Sequence, residues 1–306
     1  MNRLDKKILN FQINDKSFFI TRIIGICILI IEVLKGNRKP KSFSKENLII
    51  DSSLFEDELK RKGACTVKNF IDEKKTYLFG KELLKILKKY YEENILIDNF
   101  HEEEKFLIQK GPVKLKTYHE LQSYKKTVFH IRDSEEDNGF IDIFNVDLLF
   151  KNEFFDELFE NIKLTNIEKG LNKVIGKEVK ISSLNAYITP KLEKTRCLHN
   201  DSLTKDAKVF VYLNDVTSFE NGPYGYVLGS HNYSFLYYLW MKFYYYFPES
   251  LKNKLRATDS VFFKTRDAHF FLGKSGTLIC SLQNGIHRGF PQTSNDTRIL
   301  LVAHYE

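Results

Sequence analysis

From Lys177 onward the chain is cut into short runs. Residues 178–189 alternate apolar and polar side chains and end at Pro190, and residues 208–216 alternate and give way to Glu220-Asn-Gly-Pro223. Residues 224–228 lead into Gly229-Ser-His231, and 276–282 and 298–304 are the last two runs. A period of two sends successive side chains to opposite faces of a sheet, and Gly, Pro and Asn between the runs supply turns. Many short strands with this punctuation argue for a sandwich or barrel. The expected class is therefore mainly β with flanking helices.

The helices come earlier. Residues 54–62 have a helical pattern, and 63–71 read as a short strand entering a turn. Asp72 is placed to cap an amphipathic helix running to about Tyr91, with Leu78, Leu83, Leu84, Ile86, Leu87 and Tyr90 mostly at three- and four-residue steps. Residues 150–171 are again helical in pattern, whereas 92–149 have no clear period. Within them, His130-Ile-Arg-Asp-Ser-Glu-Glu-Asp137 puts a His near four acids. Acidic clusters beside Asn-Gly read as solvated turns, and no second His has a spacing that completes a metal site.

The most apolar segment, residues 18–34, is interrupted by Arg22 and Glu32. Its longest uncharged run, residues 23–31, would reach only ~14 Å as a helix, about half of a bilayer core. The favoured reading is a helix packed on the main domain. Peripheral membrane contact through one leaflet is a second reading. A spanning helix is a third, and it would bury Arg22 or Glu32. No small-residue cleavage site marks it as a signal peptide. Residues 36–44 are polar, basic and contain Pro40, so they read as a linker. The expected division is an N-terminal extension over 1–45 and one domain over 46–306.

Residues 233–247 hold the only Trp and six of the sixteen Tyr. They read either as a lid over a substrate or as a helix covering one sheet. The net charge of +7 is spread as scattered Lys, with no basic block, which argues against nucleic-acid binding. None of the four cysteines forms a C-x-x-C pair, as expected of a reducing, cytoplasmic compartment, with membrane association if residues 18–34 engage a bilayer.

The chemistry concentrates at His199-Asn-Asp201. Two residues apart in an extended segment, the imidazole and the carboxylate point the same way. His287, in Gly285-Ile-His-Arg-Gly289, lies 88 residues downstream, and Arg298 follows eleven later. Two His, one carboxylate and a distant Arg make a facial triad suited to non-haem Fe(II), with a guanidinium able to hold both oxygens of a carboxylate. Cys197 reads either as a further ligand sharing the face of His199 or as a small buried side chain. On the strand before the motif, Ser183, Asn185 and Tyr187 share one face. If that face is inward, Asn185 and Tyr187 are candidates to hydrogen-bond a cosubstrate; if outward, they are ordinary sheet surface.

The ordered set His199-Asn-Asp201, Val211-Tyr-Leu-Asn-Asp-Val216, Asn221-Gly-Pro223, Gly229-Ser-His231, Gly285-Ile-His-Arg-Gly289 and Arg298 resembles the phytanoyl-CoA dioxygenase-like family of Fe(II)/2-oxoglutarate-dependent oxygenases. The resemblance covers roughly residues 50–306. It implies a double-stranded β-helix, a cupin-like jelly roll that holds iron between two sheets. It also implies His199, Asp201 and His287 as iron ligands, Arg298 on the distal carboxylate of 2-oxoglutarate, and a structural role for His231. The implied reaction uses O2 and hydroxylates a small-molecule or lipid-like substrate, releasing succinate and CO2. The presence of Asp201 favours hydroxylation or a related oxidation over halogenation. Two other classes stay open: a β-barrel binding or scaffold protein without turnover, and a cupin-like metalloenzyme using another metal, such as a zinc hydrolase.

Overall fold

The alternating runs pair into two sheets that face one another. The computed structural model describes residues 55–92, 100–102, 106–111, 120–134, 136–149, 166–202, 206–232, 263 and 265–306. The expectations for residues 1–45, including 18–34, for 150–165 and for 233–247 lie outside these. In chain order the elements are α1 (Phe55–Lys62), β1 (Ala64–Val67), α2 (Glu73–Glu92), β2 (Phe100–Glu102), β3 (Phe106–Gly111), β4 (Thr127–Arg132), β5 (Ile141–Phe144) and α3 (Asn166–Ile175). There follow β6 (Ile181–Thr189), β7 (Ala207–Tyr212), β8 (Tyr224–Tyr226), β9 (His269–Phe271), β10 (Leu278–Leu282), β11 (His287–Gly289) and β12 (Arg298–Tyr305).

The large sheet has the order β1-β10-β7-β12-β6-β5-β4-β3-β2, and the small one β11-β8-β9. Within the large sheet β3 and β4 run parallel and the other pairs antiparallel, so the sheet is mixed. A bridge from His199 to His287 adds the segment around His199 beside β11. From β6 onward the chain therefore passes repeatedly between the two sheets. It goes from β6 to the His199 segment, back to β7, across to β8 and β9, back to β10, across to β11, and returns as β12.

Alternation along the strands sorts side chains into two cores. Ile299, Leu301, Ala303 and Tyr305 of β12 pack with Leu59 of α1, Phe79 and Leu83 of α2, and Leu171 of α3. Leu300 and Val302 point the other way, toward Tyr226 and Phe271 of the small sheet. The same parity on β6 puts Leu184, Ala186 and Ile188 on the helix side and Tyr187 on the small-sheet side. Ser183 and Asn185 share the latter face. Each large apolar side chain removed from water contributes about 1.5–3 kcal/mol, so the two faces of this sheet carry most of the stability.

Asp72 caps α2 as its position predicts, its Oδ1 accepting the Lys75 N–H at 2.9 Å. Strands β2 to β5 are the main departure from expectation. Residues 127–131 of β4 are all buried, so both faces are covered and the alternation that betrays a half-buried strand is missing. The solvated turn expected over 130–137 holds for its later part, where residues 136–139 form a turn and Asp133 is exposed; His130 is instead buried in β4, and Arg132 pairs with Asp142 at 2.7 Å and Asp137 at 3.0 Å. Among the described residues no helix is long and apolar enough to cross a membrane.

Gly276 fixes the turn before β10. Its φ is +81°, its N–H donates to the Tyr212 carbonyl at 2.8 Å, and its own carbonyl accepts the N–H groups of Phe70 and Ile71. A Cβ there would run into the Ile71 carbonyl oxygen. Gly276→Ala is expected to lower unfolding stability by about 3 kcal/mol, combining left-handed backbone strain with overpacking. Urea denaturation checks this; an unchanged midpoint would show that the turn relaxes freely.

Candidate metal centre

Two backbone hydrogen bonds bring the distant halves of the motif together. His199 N–H donates to the His287 carbonyl at 2.9 Å, and His287 N–H donates to the His199 carbonyl at 2.7 Å. Residues exchanging both bonds sit with Cα atoms about 5.5 Å apart. Asp201 is tied in the same way, its N–H donating to the carbonyl of Gln283, just past β10, at 3.1 Å. One ligand atom each from His199, Asp201 and His287 then lie within 4.8 Å of one another. His199 Nε2 is 3.4 Å from Asp201 Oδ1, and His287 Nε2 is 3.5 Å from Asp201 Oδ2.

The orientation of both rings is settled by their other nitrogens. His199 Nδ1 lies 2.7 Å from the Cys197 carbonyl, and His287 Nδ1 lies 3.0 Å from the Gly285 carbonyl. A carbonyl can only accept, so each Nδ1 carries the proton and each Nε2 turns a lone pair toward the cluster. This backbone support is the usual means of fixing a metal-binding imidazole. Tyr226 stacks against the His287 ring with an interplanar angle of 7°.

Electrostatics keep His199 and Asp201 in metal-binding form. Burial, aided by the nearby Arg196 charge, pushes His199 down to about 3 despite the opposing Asp201, so the ring stays neutral. Burial alone would raise Asp201. The nearby Lys208 ammonium opposes this, and the carboxylate is held well below its usual range. Lys208 Nζ, on β7, donates to Asp201 Oδ2. His304, on β12, is also pushed well down, by burial and then by Lys208.

Arg298 opens β12 and is buried. One terminal nitrogen donates to the Gly222 carbonyl and the other to Thr189 Oγ1, at 2.9 Å for the latter. Its Nε is buried without a hydrogen-bond partner. Among the described residues no carboxylate forms an ion pair with it. Desolvation lowers this guanidinium to about 10. Gly289 lies over it: a Cβ at that position would stand 3.3 Å from the guanidinium. Gly289 and His287 are two residues apart on β11 and so share a face, separated by about 6.8 Å along the strand.

Asn185 and Tyr187 face the interior between the sheets, and both have protein partners. Asn185 Oδ1 accepts the Asn145 N–H at 3.2 Å, and Tyr187 OH lies 3.4 Å from His304 Nε2. Cys197 is exposed rather than buried, and it is not part of the His199, Asp201, His287 cluster. His231 Nε2 lies 3.0 Å from the Lys60 carbonyl and ties its turn to α1. Sequence reasoning passed over Lys208, His304 and Gly289. The only advance signal for Lys208 and His304 was their place on alternating runs, facing the same way as Phe210 and Val302.

No family model and no curated protein matches the chain. Solved structures similar to it include a non-heme α-ketoglutarate-dependent epimerase, SnoN, from nogalamycin biosynthesis (14% identity, 83% of this chain and 81% of that chain covered, TM-score 0.49). AviO1 from Streptomyces viridochromogenes is 12% identical over 83% of this chain and 94% of its own, with a TM-score of 0.49. HygX from Streptomyces hygroscopicus, solved with nickel and 2-oxoglutarate, is 13% identical over 84% and 87%, also at 0.49. At these values the likeness transfers neither fold nor chemistry to this chain, and the site stands on its own geometry.

The depressed histidines set an acid dependence. Below about pH 6.5 the unfolded chain protonates while folded His199 stays neutral down to about 3, so stability is lost as pH falls through that window. His304 acts in the same direction. His199 alone is expected to cost the metal-free protein about 1 kcal/mol between pH 6 and pH 5. Chemical denaturation with chelator present measures this, and His199→Gln and His304→Gln should each remove part of the drop.

Proposed function

We propose that the chain is an Fe(II)/2-oxoglutarate-dependent dioxygenase of double-stranded β-helix (jelly-roll, cupin-like) architecture, a hydroxylase acting on a small molecule. The observation that carries this reading is the pairing of two features on one face of β11. At one end, two imidazoles and a carboxylate converge on a single point. At the other, a buried guanidinium lies beside a residue without a side chain. The passage of the chain between two sheets from β6 to β12 supports the jelly-roll architecture.

In this reading His199, Asp201 and His287 hold the iron, and Arg298 holds the far carboxylate of 2-oxoglutarate. A buried guanidinium without a counter-charge favours an anion strongly, and its planar fork suits both oxygens of a carboxylate. The missing side chain at Gly289 leaves room for that carboxylate against the terminal nitrogens of Arg298. The span of about 6.8 Å along β11 matches the length of a five-carbon diacid. When bound, Fe(II), 2-oxoglutarate and O2 supply the oxidising power for a substrate C–H bond, with succinate and CO2 as by-products. The protein contributes geometry. The Cys197 and Gly285 carbonyls aim the imidazoles, Lys208 steadies Asp201, and the packing of Tyr224, Tyr226, Phe271 and Leu300 keeps water from the interior.

Anaerobic addition of Fe(II) and 2-oxoglutarate to the apo-protein should give the weak visible band of the metal–keto acid chelate. Asp201→Ala should abolish it through loss of the metal. Arg298→Ala should weaken apparent 2-oxoglutarate binding by about 100-fold, the cost of leaving a carboxylate without its charged partner. A folded, iron-loaded protein without the band would overturn the reading in favour of a barrel with another metal or none.

A further inference from the structure

The Gly229-Ser-His231 turn follows β8 and lies outside the metal cluster, yet it grips the segment that carries His287. Gly229 sits at a φ of +80°, and its N–H donates to the Lys62 carbonyl at 2.7 Å. Asn284 Nδ2 donates to the His231 carbonyl at 3.1 Å. Ile286 is bonded through both of its backbone groups. Its carbonyl accepts the Val227 N–H at 2.8 Å, and its N–H donates to Ser230 Oγ at 2.7 Å. Ser230, Asn284 and Ile286 are all buried.

A single peptide group joins this grip to the metal ligand. The Ile286 N–H and the Gly285 carbonyl belong to the same planar amide, which is trans, so they point in opposite directions. At the carbonyl end, His287 Nδ1 donates to Gly285 at 3.0 Å. Ser230 holds the other end. It thereby fixes the plane, and the plane fixes where the imidazole proton is held. Hydrogen bonds in series also polarise one another. Donation from the N–H makes the carbonyl a better acceptor, and that makes His287 a stronger electron donor through Nε2.

The space around this peptide is as tightly set. A Cβ on Gly285 would run into the Tyr226 hydroxyl and stand 3.1 Å from Ser230 Oγ. The Tyr226 hydroxyl itself donates to the Leu282 carbonyl at 3.0 Å, and the Gly285 N–H donates to the same carbonyl at 3.1 Å. His199 is supported differently. Its Nδ1 is held by the Cys197 carbonyl, on a separate segment. A change at Ser230 therefore acts on one imidazole of the two.

We propose that Ser230 is a positioning residue for the metal ligand His287, acting through the 285–286 peptide, so that the Gly229-Ser-His231 turn sets how tightly the metal is held. The inference rests on the metal-ligand part of the reading above and is independent of 2-oxoglutarate.

The test uses the full chain freed of metal, with Co(II) as the probe. Binding is measured by competition with a chromophoric chelator, and the unfolding midpoint of each metal-free variant is recorded beside it. Ser230→Ala is expected to weaken Co(II) binding about tenfold. Ser230→Thr, which keeps the hydroxyl, should restore most of it. Gly276→Ala, a destabilising change at the other end of β10, should leave the affinity unaltered. Proton NMR of the Co(II) protein adds a local readout. The Nδ1 protons of His199 and His287 should give two exchangeable, strongly shifted resonances, and Ser230→Ala should move or broaden one while the other stays. A Ser230→Ala chain that loses stability but keeps its Co(II) affinity, or that fails to fold, shows a purely structural role and overturns the inference. So does an equal loss of affinity in Gly276→Ala, a folded Ser230→Thr as weak as Ser230→Ala, or resonances that change together or not at all. An unaltered chain that binds no Co(II) removes the metal reading itself.

Discussion

Two reciprocal hydrogen bonds between His199 and His287 are the joint on which the candidate site depends. They pair residues 88 apart in sequence at the edge of the small sheet. Because both ligands belong to one hydrogen-bonded pair, their separation is set by sheet geometry rather than by side-chain flexibility. Asp201 gains the same rigidity from the Gln283 carbonyl. The segment 281–283 thereby serves both sheets, since Ser281 pairs with Lys208 in the large one. A change in β10 would reach the cluster through the backbone, without any ligand being altered.

This arrangement explains how a cluster of polar groups is tolerated between two apolar faces. Each imidazole satisfies one nitrogen on a backbone carbonyl, and His199 remains neutral, which removes the larger cost of burying a charge. The single carboxylate is matched by Lys208. Arg298 is different. Its two terminal nitrogens are used, but its charge has no described carboxylate beside it. Folding alone gives no reason to bury a cation in that condition, and a well-packed apolar residue would be the more stable choice. Under the proposed function its counter-charge is the anionic cosubstrate.

Much of this was legible because the residue types are chemically restricted. A metal site of this kind draws on His and carboxylate, so His199, Asp201 and His287 stood out before any fold was known; Arg298 stood out as the residue type that the proposed function needs for a diacid. The cap at Asp72 and the strands from 181 onward were readable from local pattern. Strands β9 and β11 are three residues each and too short to show a period. Strand β4 is buried on both faces and shows none. The sheet extension formed by β2 to β5 was hidden for that reason, together with the true setting of His130 and Arg132. Lys208 and His304 were illegible for another reason. Scattered lysines read as surface, and only the register of β7 against β12 and β10 places this one on the inner face beside Asp201.

That register gives Lys208 a position beside Asp201 that its residue type alone would not. A lysine on the other face of β7 would enter the apolar core under the helices, where its charge would have no partner. One residue out of step, the same side chain enters the interior and faces the only carboxylate of the cluster. Val209 and Val211 then turn to the helix side, while Phe210 and Tyr212 join Lys208 on the inner face. The hydrophobic pattern of β7 therefore fixes the lysine's position as firmly as a direct contact would. Shifting Lys208 outward would also expose Val209 and Val211 to the wrong layer. The charge beside Asp201 is thus built into the register that packs both cores.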